Sequence, residues 1–125
     1  MKIIVVDDMA VMRKMISKIL GELEFTNIDT AENGNVAFEK IQAAQEEKEP
    51  FQFVISDWNM PECTGIELLK RIRTSDVFKK LPFLMVTAEG EKENLIAAIK
   101  AGVSDFVIKP FTKPALKEKI LKIVG

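Results

Sequence analysis

The sequence predicts an α/β domain in which helices cover both faces of a parallel sheet. Two observations support this fold class. Short runs rich in β-branched and aromatic residues alternate with longer segments of helical apolar spacing, and this pair is repeated five times within 125 residues. The strand-like runs are apolar at consecutive positions, as in Lys2–Val6, which is typical of strands buried on both faces. We therefore expect one doubly wound, five-stranded domain over residues 1–125.

The first half of the chain contains three of the predicted strands, at Lys2–Val6, Asn27–Ala31 and Phe51–Ser56. Two amphipathic helices connect them. The apolar positions of the first helix are Met12, Met15, Ile16, Ile19, Leu20 and Leu23. Those of the second helix are Val36, Ala37, Ile41 and Ala44. Pro50 stops the second helix, because proline disfavours helical backbone in the residue before it.

The second half contains the remaining strands, Phe83–Thr87 and Phe106–Ile108, and three helices. Gly102 stands where a left-handed cap would end the fourth helix. Thr112 is the expected N-cap of the last helix, with Pro114 in its first turn. The apolar positions of the three helices are Ile66, Leu68, Leu69 and Ile72, then Leu95, Ile96 and Ile99, then Leu116, Ile120, Ile123 and Val124.

Composition and charge exclude several function classes. Lys and Arg number 18 and Asp and Glu 19, so the net charge of −1 gives no electrostatic reason to expect nucleic-acid or acidic-membrane binding. The chain has no histidine, which excludes histidine-based triads, metal sites and proton shuttles. No apolar run approaches the roughly 18 residues of a membrane span. Cys63 has no second cysteine to pair with, so we expect a protein of the reducing cytoplasm.

Polar and charged residues follow four of the predicted strands. In an open parallel sheet, ligands bind beyond the carboxyl ends of the strands, which meet at one edge. The residues expected at that edge are Asp7 and Asp8, Asp57, Trp58 and Asn59, Thr87, Ala88 and Glu89, and Lys109 and Pro110. The sequence therefore predicts that three aspartate carboxylates, a hydroxyl and an ammonium group converge there.

Charge arithmetic indicates what such a cluster needs. Two carboxylates about 4 Å apart repel by roughly 4 kcal/mol at an effective dielectric constant near 20. Either a carboxyl group takes up a proton or a cation neutralises the cluster. Lys109 supplies one positive charge and a divalent ion would supply two more. Hard oxygen ligands favour Mg²⁺, so we predict a magnesium site beside a reactive carboxylate, with Lys109 and Thr87 placed to contact an anion.

Each residue of this edge also has an ordinary structural interpretation. An acid pair at a strand end is often part of a solvated loop, a Lys-Pro step is usually a turn, and a threonine at a strand end is usually a helix cap. A nucleotide-binding protein of the flavodoxin type would carry a phosphate-cradling loop after the first strand, whereas the turn Asp7–Met9 repels phosphate in the absence of a metal. A haloacid-dehalogenase-type phosphatase would carry Asp-x-Asp there, and adjacent Asp7 and Asp8 do not fit that motif.

Four short stretches of the chain, taken in order, resemble motifs of the receiver domains of two-component response regulators, specifically those of the single-domain chemotaxis type, CheY. They are Val5–Asp8, Val54–Pro61, Met85–Glu89 and Val107–Thr112. The resemblance implies the flavodoxin-like (βα)5 receiver fold. It also implies that Asp57 accepts a phosphoryl group from a phosphohistidine. Since the chain has no histidine, the donor belongs to a partner, which would be a histidine kinase of the CheA type.

The resemblance further implies a role for each residue of the acidic edge. Asp8 and Asp57 would bind Mg²⁺ through their carboxylates, Asn59 through its backbone carbonyl, and Asp7 mainly through water. Lys109 would pair with Asp57 and then with the phosphoryl group, and Thr87 would donate a hydrogen bond to the phosphoryl oxygens. The Lys109–Pro110 bond would be cis. Asn59 and Glu89 flank the pocket, and we expect them to set the phosphate lifetime.

Phosphorylation would be coupled to output through Thr87 and an aromatic residue on the fifth strand. That aromatic is usually tyrosine in such proteins, but here it is Phe106, so we expect a weakened form of this coupling. Ala10 stands where serine is often found, and the start of the first helix thereby lacks a possible cap. The expected partner face comprises the fourth helix, fifth strand and fifth helix, with candidates Lys92, Leu95, Phe106 and Lys119.

The most favoured function is a monomeric chemotaxis regulator that binds the flagellar motor switch protein when phosphorylated, with a possible partner phosphatase. The first alternative is a stand-alone receiver that acts as a phosphate sink or relay. The second is a Mg²⁺-dependent aspartyl phosphatase. We expect the chain to be no enzyme beyond catalysing its own phosphorylation and slow dephosphorylation.

Overall fold

A computed structural model describes residues 1–88 and 92–125. It contains one five-stranded parallel sheet in the order β2-β1-β3-β4-β5, flanked by helices, which confirms the predicted fold class. The strands are β1 (Lys2–Val6), β2 (Asn27–Ala31), β3 (Phe53–Asp57), β4 (Phe83–Thr87) and β5 (Asp105–Ile108). The helices are α1 (Ala10–Glu22), α2 (Gly34–Glu46), α3 (Gly65–Arg73), α4 (Lys92–Ala101) and α5 (Lys113–Val124).

The strand register aligns the carboxyl ends of the central strands. Val6 of β1 pairs with Ser56 of β3, so Asp7 follows at the level of Asp57. Thr87 ends β4 and pairs with Ile108 of β5, so Lys109 follows at the next level. The backbone N–H of Lys109 donates to the carbonyl of Thr87 at 2.7 Å. Parallel pairing thus delivers the polar residues to one edge.

The core has two parts, one on each face of the sheet. The first contains strand residues such as Ile4, Val54 and Phe83, packed with residues of α2 and α3. The second contains strand residues such as Ile3 and Phe53, packed with residues of α1 and α5. Consecutive strand residues enter opposite parts, and this explains why β1, β3 and β4 contain runs of consecutive apolar residues.

Side-chain caps begin most of the helices whose first turns are fully described. Asn33 caps α2, Thr64 forms a capping box with Glu67 in α3, and Thr112 caps α5 as predicted. Helix α1 differs, because its N-cap residue Met9 makes no side-chain cap hydrogen bond. The β1–α1 turn is therefore held by other contacts.

The boundaries and exposure of some elements differ from the predictions. Strand β3 begins at Phe53 rather than Phe51 and includes Asp57, and β5 begins at Asp105. In α4 the only buried side chain is Ala98, while Ile99 is 60% exposed. This helix packs beside α3, and its residues Ile96 and Ile99 are left exposed. None of the described helices combines the length and apolar character that a bilayer crossing requires.

Candidate functional site

Three acidic side chains meet at the carboxyl edge of the sheet. Asp7, Asp8 and Asp57 each present a carboxylate oxygen, and these oxygens lie within 4.8 Å of one another. Asp7 is completely buried and Asp57 is nearly so, whereas Asp8 is exposed. The cluster is therefore closed toward the core and open to solvent on the Asp8 side.

Lys109 is shared by two of these acids. Its Nζ lies 3.2 Å from Oδ1 of Asp57 and 3.6 Å from Oδ2 of Asp7. The Lys109–Pro110 peptide bond is cis, as the resemblance implied. One ammonium group facing two buried carboxylates and a third exposed one leaves the cluster with an excess of negative charge.

The backbone supplies further hydrogen bonds to the acids. The N–H of Met9 donates to Oδ1 of Asp7 at 2.9 Å, and the N–H of Trp58 donates to Oδ1 of Asp57 at 2.9 Å. Oδ2 of Asp7 is buried and accepts no hydrogen bond from the part of the chain that the structure describes. Lys109 lies beyond hydrogen-bond distance at 3.6 Å, so this buried oxygen calls for a further cation or a proton.

The pKa values of the two buried acids reflect this environment. Burial is the main cause that raises the pKa of Asp57, and the charge of Lys109 opposes it. Burial also raises the pKa of Asp7, with the Met9 N–H lowering it and the charge of Asp57 raising it further. Ionisation of either carboxyl group therefore costs more free energy in the folded protein than in water.

The donor set fits a hard divalent cation. Carboxylate oxygens are the ligands that Mg²⁺ prefers, and the exposed side of the cluster leaves room for the waters that this ion retains. A cation bound there would neutralise the excess negative charge and would serve the buried oxygen of Asp7 directly or through water.

The remaining predicted site residues are placed as follows. Thr87 is completely buried at the end of β4, next to Lys109 through their backbone hydrogen bond. Asn59 is exposed in the loop after β3. Glu89 lies outside the described residues, so its expected role in phosphate lifetime stays a prediction.

The predicted partner face lies on three elements. Lys92 and Leu95 are on α4, Phe106 is on β5 and Lys119 is on α5. Phe106 is half-buried against the core, and Nζ of Lys119 lies 6.0 Å from its ring centre. Lys119 also pairs with Asp105, with its Nζ 3.2 Å from each carboxylate oxygen.

Sequence reasoning missed two residues that shape the site. Gly65 begins α3 so close to Asp57 that a Cβ there would overlap the Asp57 carbonyl oxygen. Its N–H donates to the carbonyl of Trp58 at 2.9 Å. Arg13 donates from its guanidinium to the backbone carbonyl of Asp7 at 2.7 Å. No sequence signal marks Arg13, because its partner is a backbone carbonyl rather than a side chain.

Comparison with known proteins assigns the chain to a family. The chain belongs to the response regulator receiver domain family, which matches residues 3–121. It is 46% identical over 123 residues to chemotaxis protein CheY of Pseudomonas aeruginosa, covering 98% of this chain and 95% of that protein. It is 42% identical over 125 residues to chemotaxis protein CheY1 of Helicobacter pylori, covering 100% of this chain and 98% of that protein.

A solved structure gives the same result for the fold. Chemotaxis response regulator CheY4 of Vibrio cholerae matches with a TM-score of 0.86 at 32% identity, covering 98% of this chain and 97% of that chain. These matches confirm the resemblance and the flavodoxin-like receiver fold. The chain is a CheY-type receiver domain, a class that operates in phosphorylation-activated two-component signalling and binds Mg²⁺ at an acidic pocket.

Proposed function

We propose that this chain accepts a phosphoryl group on Asp57 from a phosphohistidine of a CheA-type histidine kinase, in a reaction that requires Mg²⁺. The observation that carries the proposal is the trio of acids around a single lysine, with two of the acids buried. Asp8 and Asp57 would hold the metal through carboxylates and Asn59 through its backbone carbonyl, with Asp7 acting mainly through water. The metal would neutralise negative charge on the phosphoryl oxygens.

The chain's own residues would then position the reactants. A carboxylate oxygen of Asp57 forms the new bond to phosphorus as the bond to the donor imidazole breaks, and the imidazole leaves with its electron pair. Lys109 already lies 3.2 Å from the Asp57 carboxylate, so its ammonium group can follow the charge onto the phosphoryl oxygens. The buried hydroxyl of Thr87 would donate to the same oxygens.

Fluorescence of Trp58 tests this proposal directly. Trp58 is the single tryptophan of a chain without tyrosine, and it follows Asp57 in the sequence. We expect its emission to change with Mg²⁺ and again with a small phosphodonor such as acetyl phosphate. Asp57→Asn should abolish the phosphodonor response, while the matched change Asp105→Asn on β5 should preserve it. Incorporation of phosphate into Asp57→Asn at the wild-type level would overturn the proposal.

We further propose that the phosphorylated protein signals in chemotaxis, in the cytoplasm, through a face that contains Lys92, Leu95, Phe106 and Lys119. Sequence identity to chemotaxis proteins supports this pathway. The flagellar motor switch protein is the proposed target and a phosphatase a further partner, with the receiver acting as a monomer. Retention of this chain by immobilised switch protein, dependent on phosphodonor and Mg²⁺, is the expected result. Phosphorylation without retention would favour the phosphate sink or relay.

We also propose that the chain turns over no external substrate, and catalyses only its own phosphorylation and slow dephosphorylation. The match to the receiver domain family supports this, since a receiver hydrolyses only its own acyl phosphate and does so slowly. Multiple turnover of a phosphomonoester such as p-nitrophenyl phosphate would contradict it and favour the aspartyl phosphatase. Substitution of Asn59 at the pocket rim should change the acyl phosphate lifetime and leave the phosphorylation reaction in place.

A further inference from the structure

The turn between β1 and α1 carries two of the three clustered acids, yet helix α1 starts without a side-chain cap. Among the described residues, contacts of Asp7 hold the turn on its sheet side, including the ion pair with Lys109. The N–H of Asp7 donates to the carbonyl of Ala31 at 3.1 Å, and its Oδ1 accepts the N–H of Met9. These contacts hold the N–H and the side chain of Asp7, but neither one reaches its backbone carbonyl oxygen.

Arg13 contacts that peptide plane. Its Nη1 donates to the carbonyl oxygen of Asp7 at 2.7 Å from a half-buried position on α1. This carbonyl belongs to the peptide that joins Asp7 to Asp8, and a peptide unit is rigid and planar. A hydrogen bond to its oxygen therefore orients the whole unit and, with it, the Cα of Asp8. The backbone at this position sets the direction of the Asp8 Cα–Cβ bond and therefore the region that the exposed carboxylate can reach.

We propose that Arg13 is a positioning residue for the metal site: its guanidinium holds the Asp7–Asp8 peptide so that the exposed carboxylate of Asp8 faces Asp57. This inference rests on the proposed function, because it assigns a purpose to the acid cluster. Arg13 acts through the backbone and touches neither metal nor phosphoryl group.

The charge of Arg13 and its hydrogen bond predict opposite effects of Arg13 on Mg²⁺ binding. A cation near a cation site repels the metal, so removal of charge alone would strengthen Mg²⁺ binding. Loss of the hydrogen bond would instead release the turn and weaken binding. We expect geometry to dominate, with Arg13→Met weakening Mg²⁺ binding roughly three- to tenfold, the range for loss of one hydrogen bond.

Mg²⁺ titration of Trp58 fluorescence without any phosphodonor measures this effect. Lys14→Met is the matched control, because it removes the same charge from an exposed neighbouring position of α1. It should leave Mg²⁺ affinity unchanged or slightly higher. Arg13→Lys keeps the charge but loses the planar donor group, and we expect it to restore binding only in part. Mg²⁺ binding by Arg13→Met that is as tight as or tighter than wild type would overturn the inference.

Hydrogen exchange of the Met9 amide provides a second measurement that needs no metal. If Arg13 holds the turn, Arg13→Met should speed exchange at Met9, whose N–H is bonded to Asp7, and should leave the amides of the central strand β3 protected. Unchanged exchange at Met9 would count against the inference even if wild type failed to bind Mg²⁺. Absence of Mg²⁺ binding in wild type would count against the proposed function alone, so the two failures are distinguishable.

Discussion

Two clusters of acids and lysines in this domain have similar distances and opposite properties. At the carboxyl edge of the sheet, two buried acids share Lys109 at 3.2 Å and 3.6 Å. Between α1 and α5, the single acid Glu22 is shared by Lys117 at 3.0 Å and Lys113 at 3.6 Å. The first cluster has more acids than cations, and the second has more cations than acids.

The pKa values show what this difference means. Lys117 and Lys113 lower the pKa of the exposed Glu22 carboxyl, chiefly through the Lys117 hydrogen bond. Burial raises the pKa of Asp7 and of Asp57 although Lys109 lies beside them. The ionised Glu22 carboxyl is stabilised by its two lysines, so this surface cluster needs no further ligand to balance its charge. The buried cluster opposes folding when ionised, and a cost of this kind is typical of functional sites.

The largest expected effect is that of removing Lys109 from the buried cluster. Removal of Lys117 from the surface cluster is the control. Lys109→Met should slow phosphorylation by acetyl phosphate about a hundredfold or more, because one preorganised charge at the phosphoryl oxygens is lost. Lys117→Met should leave the rate unchanged. The measurement is the rate of Trp58 fluorescence change in stopped flow at saturating Mg²⁺. Equal rates for both variants would remove the functional distinction between the clusters.

The next effect is stabilisation by the metal. Mg²⁺ at about ten times its Kd should raise the free energy of unfolding by roughly 1.4 kcal/mol, since it binds the folded state only. Asp8→Asn should lose most of this gain, because Asp8 supplies one of the three clustered carboxylates. Glu22→Gln should keep the gain in full. Urea unfolding with and without Mg²⁺ gives these values, and an equal gain in Asp8→Asn would exclude Asp8 as a ligand.

Asp57→Asn should stabilise the metal-free protein at neutral pH. The pKa of Asp57 is raised in the folded state, so the bound proton stabilises the fold below the ordinary value of 3.8, and this contribution is lost as pH rises through the folded pKa. The variant avoids that loss and should gain about 1.4 kcal/mol at pH 7 for each unit by which the pKa is raised. Urea unfolding from pH 3 to pH 8 measures the difference, which should vanish at the acidic end.

Glu22→Gln should give the opposite sign in the same experiment. The pKa of Glu22 is lowered in the fold, so its stabilising contribution is present above the ordinary value of 4.5 and is lost as pH falls through the folded pKa. The variant should therefore be slightly less stable than wild type at neutral pH and equal to it in acid. If both substitutions changed the free energy of unfolding at neutral pH in the same direction, burial would not explain the difference between the two clusters.

The last expected effect concerns a third acid–lysine pair, Asp105–Lys119, beside Phe106. Phe106→Tyr adds a hydroxyl to a half-buried ring at the proposed output face. We expect it to tighten binding of the phosphorylated protein to its partner about fivefold, the worth of one hydrogen bond. Leu121→Met, an exposed position of α5, is the control. Unchanged affinity and an unchanged ring rotamer in Phe106→Tyr would make the missing hydroxyl irrelevant.

Much of the fold and site could be predicted because both follow from periodicity. The predicted bounds of β1, β2 and β4 are those observed, and the strand-end rule alone brought Asp7 and Asp57 to one edge. The start of β3 was wrong because Phe51 is apolar and buried without pairing in the sheet. Burial in the core and membership of a strand give the same sequence signal.

Features that depend on tertiary geometry could not be predicted in this way. The sequence does not show that Ile99 faces solvent, because helical spacing does not reveal how much of a helix its neighbours cover. Nor does it show that Arg13 reaches a backbone carbonyl, since that contact has no side-chain partner to suggest it.

Gly65 links the site to the rest of the fold in a way that constrains evolution. Any larger residue at the first position of α3 would collide with the backbone of Asp57 and push this helix away from the sheet. The same helix buries Leu68, Leu69 and Ile72 in the core. Gly65 therefore matters both for the site, because it leaves space for the Asp57 backbone, and for folding, because it lets α3 pack on the sheet. Substitution at this position should disturb both.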